Sequence, residues 1–326
     1  MSVRVLVTGA TGFIGTHLLP ALRQRGYTVR AAVRATGRLP GDDVETVRVG
    51  EIGADTDWDA ALEGVDAVIH LAARAHVLRE SGADPREAFM RVNAEGTRRL
   101  AEACVGRVNQ LVFVSSIAVH GSAAGPYLDE DSPLLPDTPY GESKRQAEET
   151  LIGLDRAGQL PVSILRPPLV YGPQAPGNLG RLARAVQRGL PLPLASVDNR
   201  RSLVGVDHLS AALIGCLESP RAARGSFMVA DEECLSTAEI IRCLARGAGR
   251  PAHLWPCPPG LLRLGGRLVG RARMISQLLD SLTVDARRLC SAIGPFQQQT
   301  SCEGLARVLA GSSNEDERLA KPHYDE

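Results

Sequence analysis

The sequence predicts an α/β protein with a Rossmann-type doubly wound parallel sheet and a smaller C-terminal lobe. Short, uninterrupted apolar runs alternate with helical patterns through the first half of the 326-residue chain, as expected for strands buried on both faces of a parallel sheet. Three glycines stand between the first apolar run and the first helical pattern, where such a fold makes its first turn. After about residue 167, short helices alternate with turns rich in proline and glycine.

The elements of the first half are predicted from these runs in chain order. Strands are expected at 3–7, 28–33, 65–73, 110–116 and 162–167, where VRVLV, TVRAAV, VDAVIHLAA, QLVFVSS and VSILRP stand between turn residues. Helices are expected at about 13–25, 84–105 and 138–157. The second begins with Asp84, Pro85 and Glu87, which supply an N-cap, a first-turn proline and a capping-box acid.

The turn VTGATGFIG places Gly9, Gly12 and Gly15 between the first strand and the first helix. Glycines there let the backbone approach a pyrophosphate, which then meets the N–H groups and dipole of the helix N-terminus. Three glycines alone are weak evidence, since glycine also serves ordinary turns, but the strand–turn–helix context predicts a dinucleotide site.

This site sets the expected domain organisation. Residues 1–167 are predicted to form a dinucleotide-binding Rossmann domain. Residues 168–311 are predicted to be mainly a substrate-binding lobe, with some of the chain returning to the Rossmann sheet. Residues 312–326 are polar and without periodicity, which predicts a disordered tail.

Arg34, directly after the second strand, bears on the choice of cofactor. An NAD site usually has an acid there to bond the adenosine ribose, whereas the segment AAVRATGR has none. A guanidinium can hold a 2′-phosphate through two parallel hydrogen bonds, so NADP(H) is favoured and NAD(H) is the alternative. In so arginine-rich a chain, a solvated surface arginine is the competing interpretation.

Tyr140 and Lys144 stand four residues apart on one face of the third predicted helix, which starts at Thr138-Pro139. A free phenol has a pKa of about 10, but a nearby ammonium and a positively charged nicotinamide ring both favour the phenolate. Tyrosine then becomes a usable proton carrier beside a hydride donor. Ser115 and Ser116 end the strand QLVFVSS and open towards the crevice where such sheets bind ligands.

Composition and charge exclude several kinds of protein. Lysine plus arginine equal aspartate plus glutamate, so the absent net charge indicates neither a nucleic-acid partner nor a membrane partner. We expect no transmembrane helix and no signal peptide, because no run of 18 apolar residues occurs and the N-terminus leads directly into a strand. The seven cysteines are scattered without a metal-ligand cluster, which is typical of a cytoplasmic protein with reduced thiols and no metal.

The ordered set TGATGFIG, HLAA, FVSS, PYGESK and RPPLVYGP resembles the extended short-chain dehydrogenase/reductases of the nucleotide-sugar epimerase/dehydratase group, over about residues 3–310. The resemblance implies that Tyr140 is the catalytic acid/base and that Lys144 bonds the nicotinamide ribose. It implies Ser116 as the active-site serine, five residues before Gly121. The implied cofactor contacts, besides Tyr140 and Lys144, are Gly9, Gly12, Phe13, Ile14, Gly15, Ile52, Leu71, Ala72, Ala73 and Pro167.

The chain departs from the family pattern at two places. Val119-His120-Gly121 stands where the family has Val-Tyr-Gly, which puts the packing role of the missing tyrosine in question. Glu51 stands where the family has an aspartate after its own third strand, so the adenine contact is expected to fall to the Ile52 backbone.

Two residues of the second half match family positions that meet the substrate diphosphate. They are Asn178 in APGNLGRL and Arg201 in NRRSLVGVDHL. Arginine suits a diphosphate because its fork bonds two oxygens at once, although two ordinary surface residues are the competing interpretation.

Segments such as ARAHVLRE and VSSIAVHG look most like a bacterial subgroup containing UDP-N-acetylquinovosamine dehydrogenases. This likeness implies that the chain reduces a UDP-4-keto-6-deoxy-N-acetylhexosamine at C4 for polysaccharide biosynthesis, as a cytoplasmic homodimer. A 4,6-dehydratase is disfavoured, since Ile117 and Ala118 follow Ser116 in place of the acids that drive water loss. The alternatives are a UDP-sugar 4-epimerase that retains NAD, a reductase of an apolar ketone, and a non-catalytic dinucleotide-binding sensor.

Residues 261–280, LLRLGGRLVGRARMISQLLD, have the pattern of an amphipathic basic helix. We interpret this segment as a surface helix of the small lobe, with contact to membrane lipid as the alternative.

Overall fold

The computed structural model describes residues 2–35, 44–75 and 84–310, and the predicted tail lies outside them. The strands are β1 Arg4–Thr8, β2 Thr28–Val33, β3 Glu45–Arg48, β4 Ala67–His70, β5 Gln110–Val114, β6 Tyr127–Leu128, β7 Val162–Arg166, β8 Leu169–Tyr171, β9 Arg201–Gly205, β10 Gly225–Met228, β11 Cys234–Leu235 and β12 Thr283–Val284. The helices are α1 Phe13–Gln24, α2 Asp59–Leu62, α3 Pro85–Phe89, α4 Gly96–Cys104, α5 Pro139–Arg156, α6 Gly177–Gln187, α7 Val206–Glu218, α8 Thr237–Gly247, α9 Pro259–Leu268, α10 Ala272–Leu279, α11 Arg287–Ile293 and α12 Ser301–Ala310.

The chain divides into two compact units. The first contains the chain up to Pro168, together with Val206–Val229 and Val284–Phe296. The second contains Leu169–Gly205, Ala230–Thr283 and the chain from Gln297. Each unit therefore draws on segments that are distant in sequence.

A seven-stranded sheet forms the centre of the first unit, in the order β10-β7-β5-β4-β1-β2-β3. All its neighbouring strands are parallel. This is the order of a doubly wound sheet, with the chain starting at a central strand and winding outward in both directions. The inner strands are apolar on both faces, and Val5, Leu6 and Val7 have no exposed surface. The predicted fold class is confirmed.

The register brings the carboxyl ends of the central strands together. Thr8 pairs with His70 across β1 and β4, and His70 pairs with Phe113 across β4 and β5. Val114, the last residue of β5, pairs with Leu165 of β7. The polar residues at and beyond these ends therefore converge at one edge, where doubly wound sheets bind ligands.

The helix expected over 84–105 is interrupted. Asp84 caps α3 through its side chain, as predicted, but residues Met90–Glu95 form a π-helical turn before α4 begins at Gly96. Such turns are frequent at functional sites because they reposition a side chain. Here the turn carries Asn93, which has no exposed surface.

The second unit contains a three-stranded sheet in the order β11-β9-β8 and a close pair of helices, α8 and α12. At Gly247 of α8, an added Cβ would overlap the backbone of Ala306 in α12. Cys243 and Cys302 form a disulfide between these helices, with their Cα atoms 5.2 Å apart. The expectation that all seven cysteines are reduced is therefore wrong for this pair, because tertiary packing joins residues 59 positions apart.

The helix expected over 261–280 is two helices. Gly270 adopts a φ of +67°, a left-handed conformation that terminates α9 before α10 begins at Ala272. The break could not be predicted from the sequence RLVGRAR, because one glycine inside an amphipathic pattern is compatible with a continuous helix.

Candidate active site

Ser116 and Tyr140 meet at the carboxyl edge of the first unit's sheet. Ser116 follows β5, and its Oγ accepts a hydrogen bond from the Ala118 N–H at 3.2 Å, capping a short 3₁₀ turn. Tyr140 is the second residue of α5, whose N-terminus is capped by Thr138. The Ser116 side chain lies close enough to the Tyr140 hydroxyl to lower the pKa of that phenol. The structure thus brings together two of the residues predicted to be catalytic.

Gly141 makes this meeting possible. A Cβ at this position would lie 3.1 Å from the Ala118 carbonyl carbon. It would also lie closer than 3.0 Å to the carbonyl oxygen, an approach that real Cβ atoms essentially never make. Only glycine therefore lets the first turn of α5 lie against the turn that carries Ser116. Gly141 is part of the motif PYGESK, but the motif alone does not indicate this role.

Lys144 lies beneath the same site, with only 2% of its surface exposed. Its Nζ donates a hydrogen bond to the Val114 carbonyl oxygen at 2.8 Å and lies 4.4 Å from the centroid of the Phe113 ring. Burial lowers the pKa of Lys144 to about 7, and the nearby Glu148 opposes that change. An ammonium in this position is costly unless a ligand bonds it.

The pKa of Tyr140 departs from the sequence expectation. Burial raises it to about 12, and the hydrogen bond with Ser116 opposes the rise. Lys144 was expected to lower this pKa, yet burial sets the direction for both side chains, towards neutral forms. Tyr140 is therefore a phenol at neutral pH, the form that can donate a proton.

A buried chain of hydrogen bonds joins the π-helical turn to the end of β1, directly before the glycine turn. Thr97 donates its hydroxyl hydrogen to the Asn93 carbonyl at 2.6 Å, so it must accept from His70 Nε2 at 2.9 Å. His70 Nδ1 is then an acceptor and receives the Thr8 hydroxyl at 2.6 Å. Burial, followed by Lys144, lowers the pKa of His70 to about 3, which agrees with this neutral tautomer. The Thr8 oxygen in turn accepts from the Ala72 N–H at 3.2 Å.

The glycine turn has the geometry of a pyrophosphate cradle. Gly9 has a φ of +69°, and a Cβ there would lie 2.7 Å from the Ala72 backbone nitrogen. A Cβ on Gly15 would overlap the Gly9 and Ala10 carbonyl groups, while Gly12 is the N-cap of α1. Among the described residues, no side chain caps this helix, so the N–H groups at Phe13 and Ile14 are suited to an anion. The residues present therefore fit a dinucleotide.

The other predicted cofactor residues border the same edge. Leu71, Ala72 and Ala73 directly follow β4, and Pro167 follows β7, with its carbonyl oxygen accepting from the Ile117 N–H at 3.1 Å. Arg34 directly follows β2 and is exposed. Residues 36–43, which come after it, lie outside the described residues.

Ile52 lies in a turn that Thr56 holds in place. The Thr56 hydroxyl accepts from the Gly53 N–H at 2.9 Å and donates to the Glu51 carbonyl at 3.2 Å. Ile52 also packs on Gly96, where an added Cβ would lie 2.5 Å from its Cγ2 atom. A rigid backbone at Ile52 suits the predicted adenine contact.

Asn93 is a positioning residue that sequence analysis missed. Its side-chain amide pairs with the Arg74 backbone in both directions, at 2.8 and 3.0 Å, and donates to Ser143 Oγ at 3.0 Å. Ser143 Oγ in turn donates to the Tyr140 carbonyl at 2.8 Å. Asn93 thus joins the segment after β4 to the helix that carries Tyr140. In the sequence, the one indication was an asparagine in the interior of a predicted helix, a position that this residue does not favour.

His120 occupies the position of the missing family tyrosine. Its Nδ1–H donates to the Pro133 carbonyl at 3.1 Å, and its Nε2 lies 3.5 Å from Arg166 Nη1. Arg166 also forms a buried ion pair with Glu148 at 2.7 Å. Burial and the Arg166 charge lower the pKa of His120. A neutral histidine therefore fills this position as part of a polar network.

Asn178 and Arg201 belong to the second unit, where Asn178 contacts the last turn of α10 and Arg201 contacts the residue that follows this helix. Asn178 Nδ2 donates to Gln277 Oε1 at 2.9 Å, and Arg201 Nη1 donates to the Asp280 carbonyl at 2.9 Å. Burial lowers the pKa of Arg201, with Asp280 opposing. Within the described ranges, no cluster of histidine, cysteine or carboxylate side chains could hold a metal ion.

Three comparisons identify proteins similar to this chain. Residues 5–230 match the model of the NAD dependent epimerase/dehydratase family. UDP-glucose 4-epimerase of Vibrio cholerae is 36% identical over 314 residues, covering 94% of this chain and 95% of that protein. Ceramide reductase of Caulobacter vibrioides is 32% identical over 266 residues, covering 80% and 76%. The solved structure of MoeE5 in complex with UDP-glucuronic acid and NAD is 28% identical, with a TM-score of 0.75 over 96% of this chain and 99% of that one.

Proposed function

Since the chain belongs to the NAD dependent epimerase/dehydratase family, we propose that it catalyses oxidation and reduction at C4 of a UDP-sugar, with 4-epimerisation as its overall reaction. The close approach of the Ser116 and Tyr140 side chains, with Lys144 buried on the same helix, carries this proposal. Similarity to the Vibrio cholerae epimerase along nearly the whole chain supports the epimerase, which was the alternative at the outset, over the ketoreductase. The complete set of three side chains disfavours a non-catalytic sensor.

The first unit binds the cofactor in this proposal. Gly9, Gly12 and Gly15 hold the pyrophosphate against the N-terminus of α1, and the Ile52 backbone meets the adenine. Bound nicotinamide supplies a hydride acceptor and donor at the substrate carbon. The Lys144 ammonium bonds the nicotinamide ribose, which gives the buried cation the partners it needs.

Tyr140 moves the proton that accompanies each hydride transfer. In the oxidising half-reaction its Oη takes the proton of the C4 hydroxyl, and in the reducing half-reaction it returns that proton to the carbonyl oxygen. The raised pKa of about 12 favours the returning step, while the Ser116 hydroxyl and the positive charge of a bound nicotinamide would favour the phenolate needed first. The Ser116 hydroxyl bonds the same sugar oxygen and holds it within reach of Tyr140.

The second unit binds the nucleotide diphosphate in this proposal, through Asn178 and Arg201. Arg201 is held by the Asp280 carbonyl, so its guanidinium is oriented before the substrate arrives. A fixed fork loses little conformational entropy when it bonds two phosphate oxygens.

Replacing Tyr140 with Phe tests the assignment. The variant should bind NAD normally but lose turnover of UDP-glucose, UDP-galactose and their N-acetyl forms by about 100-fold or more, the usual scale for a lost general acid–base group. Sugar products are separated by chromatography, and thermal unfolding with and without NAD controls for folding. Wild-type turnover in this variant would contradict the proposal.

A 4-ketoreductase using NADPH is the second candidate, favoured by exposed Arg34 directly after β2. The two reactions differ in cofactor balance, because an epimerase regenerates its nicotinamide while a reductase consumes one equivalent per sugar. Co-purified NAD and epimerised sugar without net change in nicotinamide absorbance support the epimerase. Consumption of one NADPH per 4-keto-sugar supports the reductase, and Arg34→Asp should then shift the cofactor preference several-fold towards NADH.

The homodimer and the cytoplasmic location remain predictions. Light scattering of the purified protein tests the first. Fractionation of the source cells tests the second, and the disulfide makes that measurement informative, since reducing compartments disfavour such bonds.

A further inference from the structure

Helix α9 presents leucines on the side that faces away from its own unit. Leu261, Leu264 and Leu268 are 59%, 54% and 79% exposed, and their spacing places them along one face of the helix. Gly266, the one buried residue of α9, falls on the opposite face. Each of these leucines therefore leaves more than half of its surface outside the packing of the unit.

The face of α9 opposite the leucines packs against α10. At Gly266, an added Cβ would lie 2.6 Å from Ile275 Cγ1, so the two helices cross in close contact. Val269, at the end of α9, is a further large apolar residue, 68% exposed. Single exposed leucines are ordinary, but a continuous apolar stripe along one helix marks an interaction surface.

The charged residues within α9 and α10 are all basic. From Pro256 to Leu279 the sequence has no acidic residue and four arginines, although the whole chain carries no net charge. Arg263 pairs with Asp280 at 2.9 Å. Arg267 and Arg271 are exposed and form no ion pair with any residue in the described part of the chain. The chain therefore contains a local basic segment although its net charge is zero, and the zero net charge alone does not exclude a membrane partner.

We propose that α9 lies on the surface of an anionic lipid bilayer. The leucines enter the boundary between head groups and acyl chains, and Arg267 and Arg271 bond lipid phosphates. No helix among the described residues is long and apolar enough to cross a membrane, so the contact is peripheral. A second copy of the chain fits this face less well, because a two-fold contact would place its unpaired arginines near their own counterparts. The proposal does not depend on the enzymatic reaction.

Sedimentation with phospholipid vesicles tests the proposal. The protein should bind vesicles of phosphatidylcholine mixed with phosphatidylglycerol, and bind vesicles of phosphatidylcholine alone about tenfold more weakly or worse. Added salt should weaken binding to the anionic vesicles, because it screens the arginines. Failure of the folded protein to bind anionic vesicles would overturn the proposal.

Variants separate the apolar and basic contributions. The double variant with Leu264→Ser and Leu268→Ser should bind vesicles roughly tenfold more weakly or worse, because it lacks two leucines that enter the lipid in the wild type. Arg267→Ala and Arg271→Ala should each lower it about fivefold, and only on anionic vesicles. Leu135→Ser is the matched control, since Leu135 is 49% exposed but lies in the first unit.

Thermal unfolding establishes that each variant is folded. Unchanged vesicle binding in the double leucine variant would refute the proposal. So would a dimer, detected by analytical ultracentrifugation, that this variant converts to monomer, because the leucines would then form a contact between copies of the chain.

Discussion

Replacing Gly141 with alanine tests how the active site is assembled. The new Cβ would lie inside 3.0 Å of the Ala118 carbonyl oxygen and 3.1 Å from Pro136 Cβ. The first turn of α5 must therefore move away by several tenths of an ångström, taking Tyr140 away from Ser116. Misplacement of a catalytic group by about 1 Å can cost on the order of 100-fold in rate. We expect kcat for UDP-sugar turnover to fall between about tenfold and 100-fold.

Gly153 provides a control on the same helix. A Cβ there would meet nothing within 4 Å, so Gly153→Ala should leave kcat unchanged and stabilise the protein by roughly 0.5–1 kcal/mol. Steady-state kinetics with sugar analysis gives kcat, and NAD affinity reports whether the glycine turn is intact. If Gly141→Ala keeps wild-type kcat, or if NAD binding and kcat fall together, the close approach of α5 does not control the position of Tyr140.

Three further predictions concern stability and substrate binding. The pKa of Lys144 falls from 10.5 to about 7 on folding, so the unfolded chain binds more protons between these values and wild-type stability should rise with pH there. Near neutral pH, the free energy of unfolding of Lys144→Met should therefore exceed that of the wild type by on the order of 3 kcal/mol. Chemical denaturation should show this difference disappearing near pH 10. A difference that does not depend on pH would refute the burial of a cation at this position. Arg201→Ala should raise KM for the UDP-sugar roughly tenfold to 100-fold without changing NAD affinity. Arg200→Ala, which changes the exposed neighbouring arginine, should leave KM unchanged. Equal losses of affinity for the sugar and for NAD in Arg201→Ala would indicate misfolding. Cys243→Ser should lower the free energy of unfolding by about 2–4 kcal/mol, and reductant should then have no further effect; equal sensitivity of variant and wild type to reductant would argue against the disulfide.

The central sheet was predictable because its strands are buried on both faces. Each inner strand is an uninterrupted apolar run, so composition and turn residues identify it without tertiary information. The edge strand β3, Glu45–Arg48, was missed because it is mostly exposed and polar. The location of the glycine turn followed from its position between the first strand and the first helix.

Contacts between distant segments were not predictable. The spacing of Tyr140 and Lys144 indicates a shared helix face, but the pKa of each depends on burial that only the packed sheet provides. The roles of Gly141 and Asn93 likewise depend on backbone groups from other elements. The bond between Cys243 and Cys302 requires α8 and α12 to pack together, which the scattered cysteine positions do not reveal.

Strand β10 has a consequence for the synthesis of this protein on the ribosome. It completes one edge of the sheet against β7, yet its residues, Gly225–Met228, come after the whole of the second unit's first segment, Leu169–Gly205. From the time β7 has emerged until Met228 follows it, β7 has an unpaired row of N–H and C=O groups on that side. The nascent chain is therefore exposed to aberrant strand pairing, and to capture by chaperones, while roughly 60 residues, from Pro167 to Met228, are added.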